Sequence, residues 1–438
     1  MAVIGAGPAG LVLGMGLVRR GHRVVVVDRD HGPPERGPWE RRGVMQFHHA
    51  HAFRSPVVQL LEPIAPEAWS AWQEAGAEPV NMPDPANGQP RLVGVRSRRE
   101  TFERAVRRTA ASESDLELRQ GHVDGVVVTE GRATGLVVDG VVVPADLVID
   151  ASGRSGRVTQ ALGKRASLGG STGIAYVDRH YQLRPGAEPG PLLSPIAWVG
   201  DLGGYQVIVF PHERGIYSAL VVRPSSDREL ARLREDRVFE AACRAVPVLA
   251  EWTDPERSQP ITPVLPGGNL LNHYRSQFDD EGRPIAEGLL FVGDSVCTTT
   301  PNFGRGVTTT MMQVDQVLRL IDAHGTDLES VARALDRWSY EHMRPWVEDH
   351  VVMDEAMRRR WSGEEVDLDS PLPSDLVLAA AEVDPEIMRE AGPYSSMTQG
   401  PGSLGPARQR AKAVFDSGWR PTPPPGPSRD ELVAQLPA

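Results

Sequence analysis

The first thirty residues of the chain combine a glycine-rich turn with two apolar runs. A short apolar segment at 2–4 leads into the hexad GAGPAG at 5–10, and an apolar stretch with helical character continues until Gly21 ends it. Four consecutive valines at 24–27 follow and close on Asp28. Strands that are buried on both faces of a parallel sheet have this composition. The order strand, turn, helix, strand therefore predicts a βαβ unit and an α/β fold.

The positions of the glycines match the needs of a phosphate-binding turn. Gly5 permits the tight turn, Gly7 lets the backbone approach a pyrophosphate, and Gly10 lets the helix pack closely on the strand. The start of the helix offers free N–H groups and a partial positive charge. Asp28, 18 positions after Gly10, would accept hydrogen bonds from both ribose hydroxyls of an adenosine. The context predicts dinucleotide binding, and the alternative is a glycine turn in an α/β domain that holds no nucleotide.

The overall composition excludes several classes of function. The chain has 438 residues, 40% of them hydrophobic, which predicts two or three packed units and not a disordered protein. Its 47 basic and 58 acidic residues give a net charge of −11, so nucleic acid and anionic membranes are not expected partners. Two cysteines, Cys243 and Cys297, cannot form a disulfide framework or a four-thiolate metal site, and they favour a reducing, cytoplasmic location. We expect neither a signal peptide nor a membrane span.

Beyond the first unit the pattern alternates between strands and helices. A helix is predicted over 98–109 and a small β meander over 126–143. Residues 173–222 alternate strand signals with glycine and proline turns, which predicts a mainly antiparallel sheet. A buried strand at 288–294 leads through a glycine-rich loop into another helix, and most of the remaining chain has a helical pattern. A proline-rich tail at 421–427 is expected to be extended and mobile.

A second motif stands at the end of the buried strand 288–294. The segment GDS at 293–295 is followed by Pro301, Gly304 and Gly306 before the next helix. It resembles the GD motif of FAD-dependent monooxygenases of the para-hydroxybenzoate hydroxylase-like superfamily. In that superfamily the aspartate, Asp294 here, binds the ribityl chain, and the start of the helix points N–H groups at the pyrimidine edge of the flavin. The alternative is an ordinary turn.

Further segments carry the same resemblance. DASGR at 150–154 is similar to the DG-type motif of the superfamily in the form found in its epoxidase-like and reductase-like branches, although the next two residues reverse the usual Gly-Ser order. The stretch RRGVMQFHHAH at 41–51 is similar to the RxGVPQ and HxH segment of bacterial flavin epoxidases that act on polyketides, with Met45 where proline is usual. Arg99 matches the arginine that reaches FAD in the family.

The resemblance extends over roughly residues 3–323 and implies a fold class. It predicts an α/β protein with a Rossmann-like FAD-binding domain of the glutathione reductase type, an inserted, mainly antiparallel substrate domain and a C-terminal helical region. The expected units are 1–165 (first part of the FAD-binding domain, with part of the substrate domain near 70–95), 166–262 (substrate domain), 263–325 (second part of the FAD-binding domain) and 326–438 (helical region and proline-rich tail).

The resemblance also assigns residues to the cofactor and to the substrate. The residues expected to contact FAD are Gly5, Gly7, Pro8, Ala9, Gly10, Asp28, Arg29, Arg42, Gln46, Arg99, Val123, Asp294, Pro301, Gly304, Gly306 and Val307. The substrate is expected where the antiparallel sheet faces the flavin, with Tyr205, Val207 and Val209 on that face. Because strand residues alternate between two faces, each of these three could instead belong to the core.

Three histidines at 48, 49 and 51 form another group with chemical potential. We do not expect a metal site, because no carboxylate stands at a matching spacing. In an extended stretch His49 and His51 share one face, and His48 points away. Near a flavin, His49 and His51 are candidate catalytic residues that hydrogen-bond a peroxide or carry a proton. Structural packing is the alternative.

The resemblance implies an FAD-dependent monooxygenase of secondary metabolism. The flavin would be reduced by NAD(P)H, which either binds transiently or acts through a separate flavin reductase, because only one dinucleotide motif is visible in a βαβ context. Dioxygen would then add, and a flavin hydroperoxide would transfer one oxygen atom to a hydrophobic small molecule by epoxidation or hydroxylation.

Three other functions compete with this interpretation. A reductase or dehydrogenase that transfers no oxygen shares these motifs. A halogenase on the same scaffold would need a lysine to relay hypohalous acid and a WxWxIP segment, but the segment is absent and neither Lys164 nor Lys412 stands in the corresponding place. A dinucleotide-binding sensor without catalysis would be colourless if it holds no flavin.

Overall fold

The computed structural model describes residues 1–41, 43–84 and 87–437. Within these ranges the strands are β1 (Ala2–Ile4), β2 (Val24–Asp28), β3 (Phe53–Arg54), β4 (Glu78–Pro83), β5 (Pro90–Arg96), β6 (Leu116–Gln120), β7 (Val123–Thr129), β8 (Arg132–Val138), β9 (Val141–Pro144), β10 (Val148–Asp150), β11 (Ser167–Ser171), β12 (Ile174–Leu183), β13 (Trp198–Asp201), β14 (Gln206–Pro211), β15 (Ile216–Pro224), β16 (Ser258–Pro260), β17 (Leu265–Gly267), β18 (Leu271–Arg275), β19 (Leu289–Phe291) and β20 (Cys297–Thr298).

The helices alternate with these strands in the first part of the chain and dominate its last part. They are α1 (Pro8–Val18), α2 (Ser55–Ile64), α3 (Pro66–Glu74), α4 (Arg99–Ala110), α5 (Arg157–Gln160), α6 (Asp236–Ala245), α7 (Pro247–Trp252), α8 (Gly306–His324), α9 (Leu328–His342), α10 (Arg344–Trp361), α11 (Ser374–Ala379), α12 (Pro385–Ser395), α13 (Gly405–Asp416) and α14 (Arg429–Gln435).

A five-stranded parallel sheet contains the predicted βαβ unit. Its strand order is β19–β10–β1–β2–β6, and all neighbours run in the same direction. Helix α1 is buried between this sheet and the helices α4 and α8. Its sequence is apolar on every face, as a helix that is buried on all sides requires. Since the carboxyl ends of parallel strands lie at one edge, the turns after β1, β2, β10 and β19 meet there. The prediction of a βαβ unit is confirmed.

Smaller antiparallel sheets surround the parallel one. Strands β7, β8 and β9 form the predicted meander. A second small sheet has the order β3–β5–β4, and a third has the order β11–β18–β20. In this third sheet, β20 comes directly after the turn that follows β19, and β11 leads into β12 of the larger antiparallel sheet.

The inserted sheet is antiparallel, as predicted, but it extends further along the chain than residue 222. Its order is β13–β14–β15–β12–β16, and β17 also pairs with β12. The ten-residue strand β12 pairs along nearly its whole length with β15. One face of the sheet packs on α6 and α7 in an apolar cluster. The other face packs in a separate cluster that includes Ala50, Ala52 and Leu270.

The C-terminal helices pack against the outer side of the parallel sheet. Helices α10 to α13 bury Trp346, Tyr394 and Phe415 in one apolar cluster with side chains of β10 and β19. This arrangement explains the helical pattern of the last quarter of the chain. None of the helices in the described ranges combines the length and the apolar composition that a membrane crossing requires.

The proline-rich tail is extended, as expected, but the structure does not support the expectation that it is mobile. The hydroxyl of Tyr205 donates a hydrogen bond of 2.8 Å to the carbonyl of Pro427. Arg429 then makes a bidentate ion pair with Asp227, at 2.9 and 3.0 Å. Leu432 of α14 is fully buried in the cluster between the antiparallel sheet and α6. Helix α14 is therefore part of the core of the inserted domain.

This packing gives a test of the tail. We expect Leu432→Ala to lower the free energy of unfolding by about 2–5 kcal/mol, because it leaves a cavity among buried apolar side chains. Gln435→Ala, on the exposed side of the same helix, should change it by less than about 0.5 kcal/mol. Urea denaturation followed by circular dichroism measures both values. Equal midpoints for the two variants would show that α14 does not contribute to the core.

Candidate functional site

A single cavity of about 650 Å³ lies at the carboxyl edge of the parallel sheet. Almost all the residues that the sequence assigned to the cofactor line it: Gly5, Gly7, Pro8, Ala9, Asp28, Arg29, Gln46, Arg99, Val123, Asp294, Pro301, Gly304, Gly306 and Val307. Gly10 does not line the cavity but packs beneath the first turn. Arg42 lies outside the described residues. The motifs near residues 5 and 293 therefore belong to one site.

The three glycines of the first turn differ in what surrounds them. Gly5 has φ +101°, and a Cβ there would lie 2.6 Å from the carbonyl oxygen of Ala151. A Cβ on Gly10 would lie 1.9 Å from the carbonyl oxygen of Gly5, so the helix cannot approach the strand this closely with any larger residue. Gly7 has open space on its cavity side. The N-terminus of α1 carries no side-chain cap, which leaves its first N–H groups for a ligand.

Asp28 closes the side of the cavity next to the first turn. Its Oδ2 accepts hydrogen bonds from the N–H of Ala6 at 2.7 Å and from Arg41 at 2.9 Å. Arg41 also pairs with Glu103, which in turn pairs with Arg99 on the same helix. Burial lowers the pKa of Arg41, but Glu103 and Asp28 outweigh burial and raise it. Two arginines are thus held at the cavity by one buried carboxylate.

The sequence analysis did not identify Glu103 as part of the site. It is almost completely buried, although the arginine-rich sequence of its helix is typical of a solvent-exposed helix. The signal that could have found it is its spacing from Arg99, since residues four apart on a helix face each other. An arginine expected at a cofactor can be positioned by an acidic residue one turn away.

The turn after β10 forms another wall of the cavity. Asp150 does not face the cavity but organises this turn, because its carboxylate accepts hydrogen bonds from Ser152 N–H at 2.9 Å and from the Thr159 hydroxyl at 2.7 Å. The residues that follow Asp150, including Arg154, line the cavity. Arg154 also donates a hydrogen bond to the carbonyl of Asn269 at 2.7 Å.

Asp294 presents an unpaired carboxylate to the cavity. Its side chain is exposed there, and none of the described residues donates a hydrogen bond to it. The enclosing walls of the cavity partly desolvate the carboxylate and raise its pKa, while Arg99, Arg154 and Arg275 partly oppose that shift. Gly293 has φ +70°, and a Cβ there would lie 3.3 Å from the Cβ of Ala9. The turn at 293 thus packs directly on the start of α1.

The N-terminus of α8 points into the same cavity. Gly304 has φ +61°, and a Cβ there would lie 2.7 Å from the Cβ of Ala52. Gly306 begins the nineteen-residue helix, has open space beside it and lines the cavity with Val307. A long helix carries a partial positive charge at this end. The cavity therefore has a helix N-terminus near each of its two motifs.

A buried arginine connects this loop to the C-terminal helices. Arg305 lines the cavity, pairs with Asp349 of α10 at 2.9 Å and donates a hydrogen bond to the hydroxyl of Tyr394 in α12. Its guanidinium also lies 4.7 Å from the ring centre of Trp346. Because Arg305 is the residue before α8, this contact fixes the start of α8. No local sequence pattern indicates this contact, since the partners are 44 and 89 positions away.

The prediction for the substrate residues chose the wrong face of β14. Tyr205, Val207 and Val209 are fully buried against α6 and α7 and do not line the cavity. The alternate residues Ile208 and Phe210 belong to the cluster that contains Ala50 and Ala52, which do line it. Strand periodicity identified the two faces correctly but not which of them was nearer the cavity.

The histidine stretch is bent, so the prediction that His49 and His51 share one face of an extended segment is wrong. His51 lines the cavity, whereas His49 is turned away toward Asp178 on β12, with 2.5 Å between its Nδ1 and Oδ1 of Asp178. His48 lies 3.4 Å from Glu40 and does not line the cavity.

The structure is an α/β architecture with a cavity at the carboxyl edge of its parallel sheet and an antiparallel sheet inserted in the chain between β10 and β19. Residues 1–176 match the family model of the lycopene cyclase protein. The matched part contains the first turn and the turn after β10, and it ends before Asp294. No curated protein matches the chain in sequence.

Solved structures resemble nearly the whole chain at low identity. A triple mutant of the flavin-dependent brominase Bmp2 has a TM-score of 0.66 and 17% identity, over 95% of this chain and 99% of that one. PqsL, a probable FAD-dependent monooxygenase from Pseudomonas aeruginosa, has a TM-score of 0.58 and 18% identity, over 83% and 98%. The myxobacterial chondrochloren halogenase CndH has a TM-score of 0.60 and 18% identity, over 98% of both chains. The chain has the fold of these flavin-dependent monooxygenases and halogenases, and the predicted fold class is confirmed.

The two glycines of the first turn provide a matched pair of variants. We expect Gly10→Ala to destabilise the protein by about 1–3 kcal/mol or more, because its methyl group would overlap the carbonyl of Gly5. Gly7→Ala should leave the stability of the ligand-free protein unchanged, since Gly7 has φ −81° and open space around it. Thermal unfolding after removal of bound ligands measures both. A normal melting temperature for Gly10→Ala would contradict the close packing.

Proposed function

We propose that the protein is an FAD-dependent monooxygenase that acts on a hydrophobic small molecule. The observation that carries the proposal is the single cavity in which the uncapped start of α1, the unpaired Asp294 and the start of α8 face one ligand. A dinucleotide with a pyrophosphate in its middle and a polyol chain beyond it has groups for each of these features.

The residues fit FAD in their chemistry. The space beside Gly7 and the N–H groups of α1 suit the pyrophosphate, and the carboxylate of Asp28 suits the adenosine ribose. Asp294 is an acceptor to which no residue in the described part of the chain donates, which suits the hydroxyls of the ribityl chain. The start of α8 suits the pyrimidine edge of the flavin, which becomes negative on reduction. We also assign to FAD the other residues that the sequence predicted and that line the cavity: Arg29, Gln46, Arg99, Val123, Pro301, Gly304, Gly306 and Val307.

FAD would supply the redox chemistry, with NAD(P)H as its reductant and dioxygen as the oxygen donor. The protein would hold the ring, exclude water from it and present the substrate. Three of the residues that line the cavity, Ala50, Ala52 and Leu270, are apolar and pack in one cluster with Ile208 and Phe210 of the antiparallel sheet. An apolar wall favours a hydrophobic substrate, and oxygen transfer to such a molecule would be epoxidation or hydroxylation.

The halogenases among the structural neighbours raise a second possibility, which the site does not favour. Neither of the two lysines of the sequence lines the cavity. Lys164 lies in a surface loop beside Asp279 and Asp280, and Lys412 pairs with Asp416 on α13. A reductase without oxygen transfer stays the alternative, and kinetics separate the two.

Cofactor identity and the role of Asp294 can be tested together. We expect the purified protein to release FAD on denaturation, identified by mass spectrometry. Asp294→Ala should weaken FAD binding about 10- to 150-fold, because a hydrogen bond to a charged group contributes about 1.5–3 kcal/mol. Asp322→Ala, an exposed carboxylate at the other end of α8, is the control and should bind FAD normally.

A further readout distinguishes a binding role of Asp294 from a structural one. Since desolvation raises its pKa and none of the residues that the structure describes donates to it, removal of the carboxylate should not destabilise the ligand-free protein. A lower melting temperature of ligand-free Asp294→Ala would show that the carboxylate serves the fold.

Reaction with oxygen tests the class of activity. The holoprotein is reduced with NADPH or dithionite without air and then mixed with oxygenated buffer in a stopped-flow spectrometer. A transient absorbing species between the reduced and the oxidised spectra is the expected result for an oxygenase. Slow reoxidation without any such species, with or without added hydrophobic compounds, would favour the reductase.

A further inference from the structure

His51 occupies a defined place on the wall of the cavity. Its ring lines the cavity, and the next residue, Ala52, packs directly against Gly304 in the loop before α8. Arg99, which also lines the cavity, influences the pKa of both His51 and Asp294. His51 therefore stands next to the residue that packs on the loop before α8.

The hydrogen bond of His51 defines its tautomer. Its Nδ1 lies 2.9 Å from the carbonyl oxygen of His49. A carbonyl oxygen can only accept, so Nδ1 must carry the hydrogen. In the neutral ring the other nitrogen, Nε2, then has a lone pair and no hydrogen. No described residue donates to Nε2, so this lone pair is left for a ligand.

The surroundings of His51 keep the ring neutral. Burial, with a smaller contribution from the positive charge of Arg99, lowers the pKa of His51 to about 3. The hydrogen bond to His49 acts in the opposite direction but is outweighed. At neutral pH the side chain is thus an acceptor in the cavity and not a proton donor. This contrasts with the proton-carrying role considered from the sequence.

Asp178 fixes the backbone of residues 49 and 50, and the carbonyl of His49 in turn positions the His51 ring. Its carboxylate, fully buried on β12, accepts from the N–H of Ala50 at 3.0 Å and from Nδ1 of His49. Burial alone would raise the pKa of Asp178, but His49 and His180 lower it to about 2. An ionised carboxylate therefore anchors residues 49 and 50 together, which aims the carbonyl of His49 at His51.

We propose that His51 is a hydrogen-bond acceptor for FAD, with Nε2 receiving an N–H or O–H of the cofactor, and that Asp178 is the positioning residue for it. The inference rests on the proposed binding of FAD. Three groups of the cofactor offer such a donor: the flavin N5, which carries a hydrogen only after reduction, and the flavin N3–H and the ribityl hydroxyls, which are present in both redox states.

A pair of substitutions at His51 tests the acceptor. His51→Phe keeps a planar ring and removes both nitrogens, whereas His51→Gln can place an amide oxygen near the position of Nε2. His48→Phe is the matched control, because His48 is a neighbouring histidine that does not line the cavity. Each variant is stripped of its cofactor and titrated with oxidised FAD and, without air, with reduced FAD.

We expect His51→Phe to bind FAD about tenfold more weakly, because a donor of the cofactor loses its acceptor. His51→Gln should recover most of the lost affinity. A loss confined to reduced FAD, with a lower reduction potential, would identify the flavin N5–H as the partner. An equal loss in both states would identify a donor that does not depend on the redox state, the flavin N3–H or a ribityl hydroxyl. Unchanged binding of both forms by His51→Phe, or a His51→Gln variant as weak as His51→Phe, would overturn the proposal.

The role of Asp178 is tested by combining substitutions. We expect Asp178→Asn to weaken FAD binding in the natural sequence and to add no further loss in a His51→Phe background, because it acts through His51. Additive losses would show that Asp178 acts independently and would overturn its assignment. The His51 pair decides the acceptor by itself, whatever the stability of Asp178→Asn. Failure of the unsubstituted protein to bind FAD would instead refute the proposed function.

Discussion

Parallel pairing of β1, β10 and β19 is the constraint on which the rest of the molecule depends. It delivers three turns from distant parts of the sequence to one edge of a sheet. The turns then touch: Gly5 packs on Ala151, and Gly293 packs on Ala9. Each contact needs a residue without a side chain on one of its partners. The cavity is therefore a product of sheet topology combined with glycine at the points of closest approach.

Charge at the cavity is supported from behind by buried ion pairs. Glu103 holds Arg41 and Arg99, and Asp349 holds Arg305. Each arginine is held in position by a carboxylate that is itself buried. The ion pair also reduces the free-energy cost of burying the positive charge. The C-terminal helices enter the site in this way, since α10 and α12 provide the partners of Arg305.

The parts of the structure that follow from local sequence were predictable. The glycine turn, the valine strand and the GDS segment each have a pattern whose geometry is set within a few residues, so the fold and the lining of the cavity could be predicted from them. Which face of β14 lies nearer the cavity could not be predicted. The alternation of side chains along a strand defines two faces, but it does not indicate which elements pack on each of them. The acceptor role of His51 depends on Asp178, 127 positions away in the sequence, and no local pattern contains that information.

The return of the chain's end to the inserted domain has a consequence for biosynthesis. Asp227 and Arg429 are paired across 202 positions, and Leu432 and Leu436 of α14 complete an apolar cluster whose other buried members precede residue 265. While the polypeptide is being made, that cluster lacks these two members until α14 has emerged from the ribosome. During this interval a chaperone would find apolar surface on the antiparallel domain, whereas the parallel sheet would already have all five of its strands.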